Sequence, residues 1–283
     1  MMENFGQLEE AVVKRKFCLG CGACVAGCPV GCLVLENGKP KLVGKCIECG
    51  ICYRECLHTA GFSKVAELWG IEASDVAMGP YRAIYAAESP EQEVKQRAQD
   101  GGAVTAILKT LLEYEQVDGA IVTGVGAEPL LPEARVVTTP DEVVECAGSK
   151  YSRGPIFTAV MNAVRHYGRG RLALVGLPCQ IATVRRIQKS NPTNRHISEA
   201  IALTIGLFCE EAFEYRFFKE VVEGQAGVPL AEVEKVEISG NKITIHRMQK
   251  PPREIPLLVA KKYVDPACRI CPDFSAELAD ISV

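Results

Sequence analysis

Cys18-Leu19-Gly20-Cys21-Gly22-Ala23-Cys24-Val25-Ala26-Gly27-Cys28-Pro29 and Cys46-Ile47-Glu48-Cys49-Gly50-Ile51-Cys52-Tyr53-Arg54-Glu55-Cys56-Leu57 are two copies of one pattern. Each reads C-x-x-C-x-x-C-x-x-x-C, and every cysteine of the second copy lies 28 residues after its counterpart. Gly22 and Gly50 occupy the same place in both. Three thiolates two residues apart let a chain wrap one face of a cubane iron–sulfur cluster, with backbone N–H groups turned toward the sulfides. Structural zinc sites are built mostly from cysteine pairs rather than runs of four. Iron–sulfur ligation is therefore the better reading of both runs.

The runs resemble the small bacterial-type ferredoxins that carry two 4Fe–4S clusters. In those proteins the fourth cysteine of each run ligates the other cluster. On that rule one cluster takes Cys18, Cys21, Cys24 and Cys56, and the other takes Cys46, Cys49, Cys52 and Cys28. The first run ends on the expected proline, Pro29, whereas Leu57 follows Cys56. Cys32 stands outside the repeat and reads as a small buried hydrophobe.

The rest of the chain frames this module. It has 283 residues, fourteen cysteines and a formal net charge of −3, which gives no general argument for nucleic acid or an acidic membrane surface. Its longest apolar runs, such as Ile201 to Cys209, are too short to span a bilayer, so no direct membrane insertion is expected. The N-terminus shows no secretory pattern. A chain of this length needs no disulfide staples, and clustered cysteines suit a reducing cytoplasm. With four histidines and no Ser-His-Asp or paired-carboxylate arrangement, hydrolysis is not indicated.

Gly79-Pro80 marks a change of texture, and residues 1–78 are taken as the two-cluster domain with its linker. From there to residue 283, short apolar runs alternate with helical patterns, which predicts an α/β domain with a mixed sheet. Strands are expected at Arg82–Ala87, Gly119–Gly124, Arg171–Gly176 and Ala202–Phe208. Helices are expected at Ala103–Tyr114, Pro155–Tyr167, Ile181–Lys189 and Phe213–Glu223. Val236–Ile238 and Lys242–His246 read as a hairpin across Gly240-Asn241. The Gly124-x-Gly126 pair lacks a third glycine and a following helix, so a turn at a strand end suits it better than a dinucleotide fingerprint.

Cys179 and Cys209 each follow the end of an expected strand, where α/β sheets bind ligands. Cys268 and Cys271 form a C-x-x-C in a loop bounded by Pro266 and Pro272. Four thiols are enough for a third cluster, but spacing alone equally allows scattered buried thiols. Cys146, alone at a helix end, reads as inert.

Six ordered segments resemble the coenzyme F420 hydrogenase/dehydrogenase beta subunits. They are Gln99-Asp100-Gly101-Gly102-Ala103-Val104-Thr105, Ala147-Gly148-Ser149-Lys150-Tyr151, Leu177-Pro178-Cys179-Gln180, Gly206-Leu207-Phe208-Cys209-Glu210, Ala267 through Asp273, and Ala276-Glu277-Leu278-Ala279-Asp280. The resemblance implies a flavin-binding α/β domain over residues 79–283, holding FAD with a 4Fe–4S cluster beside it on Cys179, Cys209, Cys268 and Cys271. It implies FAD contacts along Gln99, Asp100, Gly101, Gly102 and Thr105, and along Gly148, Ser149, Lys150 and Tyr151, with Pro178 beside them. From the residues alone, Gly101-Gly102 would pass as a helix entry and Lys150 as a solvated charge. Arg185, Arg186, Lys189 and Arg195 could receive the phosphate and glutamate charges of F420, or form an ordinary solvated face.

With the two-cluster module in front, the chain resembles input subunits of reduced-F420 dehydrogenases. That implies an oxidoreductase passing electrons between F420 and another redox subunit, of a respiratory complex, hydrogenase, heterodisulfide reductase or sulfite reductase. The carriers would be FAD and three 4Fe–4S clusters, in a cytoplasmic protein peripheral to a membrane complex. Family members continue past Ala276–Asp280 with a glycine-rich segment, so the chain is expected to be truncated relative to them. The alternatives are a ferredoxin-dependent flavin reductase of another substrate and a non-catalytic wiring subunit.

Overall fold

A computed structural model describes residues 3–61, 78–190, 194, 197 and 199–283. The linker expected before Gly79 therefore falls largely outside the described residues, as does Arg195. Between the two cysteine runs, β1 (Leu33–Glu36) and β2 (Lys39–Leu42) pair antiparallel. Asn37 and Gly38 both take positive φ in the two-residue turn between them, which fits the right-handed twist of the strands. Gly22 and Gly50 have φ values of +85° and +73° and lead into the short helices Ala23–Ala26 and Ile51–Glu55. The sequence repeat is thus also a repeat of backbone shape.

The central sheet has five strands among the described residues. They are β3 (Gly119–Val125), β4 (Pro132–Val137), β5 (Leu172–Gly176), β6 (Ile201–Gly206) and β10 (Ile281–Ser282), in the order β10-β6-β5-β3-β4. All adjoining pairs are parallel except β3 with β4. Because successive side chains point to opposite faces, Ile121, Leu172 and Leu174 pack with the helices Ile156–Arg165 and Pro178–Ser190. Ala120, Val122, Ala173 and Ile205 pack with Leu108 and Leu112 of the helix Ala103–Glu113. Coverage on both faces explains why these strands read as near-continuous apolar runs.

A separate antiparallel sheet joins β7 (Val233–Ser239), β8 (Lys242–Arg247) and β9 (Lys250–Pro256). The expected hairpin is there, with Ser239 opposite Lys242 across Gly240-Asn241. Its core includes Phe213, Phe217, Phe218, Val221, Ile243 and Ile245.

Two expectations need correction. Arg82–Ala87 is not a strand, and Ile84 and Tyr85 are exposed. The run pairs with no strand among the described residues and is exposed throughout, so it buries no apolar face. The helix expected from Phe213 begins later, because Phe213 forms a bridge with Val264; the turn there is a π-helix, Phe218–Gln225.

The cysteine-rich segment is packed into the main core. Leu19, Ala23, Ala26 and Leu57 belong to the same cluster as Ile121, Phe157 and Ile181. Each large apolar side chain buried this way contributes about 1.5–3 kcal/mol. Polar ties reinforce the joint. Phe157 N–H donates to the Cys21 carbonyl at 3.0 Å, and the buried Asn194 amide donates to Gly27 O at 3.2 Å and to Glu55 Oε1 at 2.8 Å.

Candidate cluster sites and flavin loops

Three cavities gather the cysteines. The first is lined by Cys18, Cys21, Cys24 and Cys56 together with Leu19, His58 and Thr183. The second is lined by Cys28, Cys46, Cys49 and Cys52, and also by Cys32. The third is lined by Cys179, Cys209, Cys268 and Cys271 with Leu19, His58 and Arg153. Each run of four thus sends its last cysteine across to the other run's cavity. Among the described residues, no group of three such donors closes around a single metal ion. The thiols surround spaces instead.

The third cavity lies at the carboxyl ends of the parallel strands. Cys179 opens the helix after β5, and Cys209 follows β6. Gln180 sets the first of these: its side-chain oxygen accepts from Leu177 N–H at 2.9 Å and its amide donates to Gly154 O at 2.9 Å. Cys268 sits in the 3-10 turn Pro266–Ile270, which is capped by Asp265, and Cys271 closes that turn. Cys209 N–H donates to Phe274 O at 2.9 Å, fixing one thiol's backbone to the segment after the last.

Burial pushes the thiols of Cys21, Cys52, Cys179 and Cys209 up to about 12, with neighbouring cysteines adding to the rise. Four thiolates cannot share such a space without a compensating cationic centre. A ferric–ferrous cluster is such a centre, so the donor sets fit iron–sulfur groups. Cys32 is buried, as expected, yet its sulfur lies 3.5 Å from that of Cys28, inside the second cavity's wall.

Sequence reasoning missed Arg153 and His58. Arg153 Nη1 donates to Cys268 Sγ at 3.3 Å, its Nε donates to Leu19 O at 3.3 Å, and its Nη2 pairs with Asp265. His58, with Leu19, lines both the first and the third cavity. Burial, then the Arg153 charge, push the His58 imidazole down to about 4, so it is neutral near pH 7.

The segments expected to hold flavin converge. Gly148 has φ +85°, and a Cβ there would come within 3.2 Å of Arg97 O, just ahead of Gln99. Gly102, at φ +76°, caps the helix that carries Thr105, and a Cβ there would come within 2.8 Å of Val94. Burial raises the Tyr151 phenol, and the Asp100 charge adds to it, which joins the two loops electrostatically. From β7, Lys235 donates to Gln99 O at 2.8 Å, a contact no sequence pattern announced.

The basic residues are committed elsewhere. Lys150 donates to the carbonyls of Cys146, Ala147 and Gly148. Arg185 binds Leu278 O, Gln188, Thr204 and Asp280. Arg186 donates to Arg54 O at 2.7 Å, against the cysteine-rich segment. Ser149 and Pro178 lie in the loop and at the helix start beside these groups, and Pro178 lines the third cavity.

The sequence matches both family models of the coenzyme F420 hydrogenase/dehydrogenase beta subunit, the N-terminal one over residues 84–161 and the C-terminal one over residues 169–283. The chain belongs to the family of coenzyme F420 hydrogenase/dehydrogenase beta subunits. It is 34% identical over 208 residues to the beta subunit of the coenzyme F420 hydrogenase of Methanosarcina barkeri, covering 74% of this chain and 72% of that one. A subunit of the F420H2 dehydrogenase of Methanosarcina mazei is 28% identical over 287 residues, 96% of this chain and 76% of that one. A coenzyme F420-dependent sulfite reductase of Methanocaldococcus jannaschii is 32% identical over 292 residues, 96% of this chain and 42% of that protein. Among solved structures, a chain of the F420-reducing NiFe hydrogenase complex of Methanosarcina barkeri superposes with a TM-score of 0.66 at 33% identity, covering 69% of this chain and 67% of that one.

Proposed function

We propose that this family member carries electrons between reduced coenzyme F420 and a partner redox protein through FAD and three 4Fe–4S clusters. The observation that carries the reading is the grouping of thirteen cysteines, the twelve expected ligands and Cys32, around three cavities, two of which share the wall made by Leu19 and His58. Bound clusters supply one-electron carriers, bound FAD supplies the exchange between two-electron and one-electron chemistry, and F420 is the hydride-donating substrate.

The chain's own residues define the rest. Gln99, Asp100, Gly101, Gly102 and Thr105, with Gly148, Ser149 and Tyr151, hold the flavin, and Lys150 stiffens the second loop from behind. Cys179, Cys209, Cys268 and Cys271 hold the group nearest to it. Leu19 and the neutral His58 keep water out of the gap between the third and first cavities, so the route runs from the third to the first to the second. The second cavity includes the exposed Cys49 beside the exposed Ile47 and Val30, and this is the end offered to the partner. No helix among the described residues is long and apolar enough to cross a membrane, and the partner is expected to be another redox subunit.

The test is anaerobic. Reduced F420 is mixed with the full chain, reconstituted with iron, sulfide and FAD, plus a viologen acceptor, and the F420 absorbance band is followed. Oxidised F420 and reduced viologen are expected. Cys179→Ala should end viologen reduction while flavin still bleaches. Flavin that binds but never bleaches with F420 would overturn the assignment and favour a reductase of another substrate.

A further inference from the structure

We propose that Arg153, clamped by Asp265, is the fixed cation that raises the reduction potential of the iron–sulfur group held by Cys179, Cys209, Cys268 and Cys271. The inference rests on the function proposed above and adds to it the residue that sets how readily the site next to the flavin loops accepts an electron.

The placement is specific. The Arg153 side chain is 5% exposed and Asp265 is 15% exposed. One guanidinium nitrogen is aimed at a ligand sulfur, Cys268 Sγ at 3.3 Å, and the same sulfur also accepts from Ala212 N–H at 3.3 Å. Asp265 uses one oxygen on Arg153 and the other on Ala267 N–H at 2.9 Å, at the start of the turn that carries Cys268. The carboxylate therefore ties the cation to the ligand segment itself. Of the residues lining the three cavities, Arg153 is the one arginine or lysine; the second cavity's lining holds no charged side chain other than its thiols.

Burying an ion pair against a core is costly and seldom adds stability over apolar packing. An arginine stays charged at any working pH, and its field is strong where water is excluded. Reduction adds one electron to the cluster, with no proton taken up and no bond made or broken, so the reduced form carries one more negative charge. A hydrogen-bonding cation beside a ligand sulfur stabilises that form, because net charge and hydrogen bonds to sulfur set cluster potentials. Asp265 offsets part of the effect. Removing the arginine must lower the potential, and removing the carboxylate's charge must raise it.

The experiment is an anaerobic redox titration of the reconstituted full chain, followed by electron paramagnetic resonance. The third site's signal is identified as the one lost in Cys268→Ser. Arg153→Gln is expected to lower the reduction equilibrium constant of that signal roughly tenfold, ~59 mV for one electron. Asp265→Asn should shift it the opposite way, and Arg153→Lys should keep most of the wild-type value. If Arg153→Gln fails to hold the cluster, the other two variants decide. Shifts of the same sign in Arg153→Gln and Asp265→Asn, or none, would reduce Arg153 to a packing role and overturn the inference while leaving F420 oxidation intact. Iron for only two clusters in the wild-type chain would remove both the inference and the function it rests on.

Discussion

Arg185 shows how a residue's chemistry is legible while its partner is not. Its position on the helix after Cys179 made it a plausible receiver of substrate charge, as it did Arg186. The structure gives it other work: its guanidinium fastens Leu278 and Asp280 to Thr204 of β6. Those partners lie 93 and 95 residues away for Leu278 and Asp280, and no local pattern reports such a contact. Arg185→Ala should therefore lower stability by about 1–3 kcal/mol, the range for a polar contact left unmade. The KM for F420 should stay unchanged. Chemical denaturation together with F420 kinetics checks both, and a raised KM at unaltered stability would restore the substrate-binding role. Lys150 follows the same logic, since three carbonyls at the end of the helix Pro140–Glu145 use its three donors.

Elements were easier to read where a strong period or a repeat spoke for itself. The doubled cysteine run, the strands at Gly119, Leu172 and Ile201, and the hairpin at Gly240-Asn241 all follow from pattern, because burial on both faces or a tight turn leaves a local trace. β4 and β9 were not foreseen: Pro132-Glu133-Ala134-Arg135 and Lys250-Pro251-Pro252-Arg253 are polar and proline-bearing, as edge strands are. The joint between the cysteine-rich segment and the sheet was equally silent. It turns on Gly27, where an added Cβ would press on the Glu55 carboxylate and come within 2.7 Å of Asn194 Nδ2. Glu55 is 1% exposed and held by Asn194, so it has little room to yield. Gly27→Ala should destabilise the fold by about 1–3 kcal/mol through overpacking. Thermal unfolding of the iron-loaded chain measures it, and an unshifted midpoint would show that the joint is looser than its packing suggests.

At the scale of the molecule, the three cavities differ in how their cysteines meet solvent: Cys49 of the second is exposed, and every cysteine lining the first and third is buried or half-buried. The convergence of Cys179 and Cys209 with the C-x-x-C was foreseeable from strand ends and family likeness. The shared wall of Leu19 and His58 was not, because it depends on how the N-terminal segment docks. Cys179 is 6% exposed, while Cys49 lies on the outside. That difference bears on how the protein ages in air. Dioxygen meets the Cys49 thiol directly from solvent, while Cys179 is covered by packed side chains. On timed aeration the signal dependent on Cys49 should vanish first, and the signal dependent on Cys179 last. Simultaneous loss would mean that oxidising damage travels along the wire instead of through solvent. If the Cys49 signal goes first and the proposed function holds, a preparation briefly exposed to oxygen still bleaches its flavin with F420 but no longer reaches its partner, failing first at the surface where it would hand its electrons on.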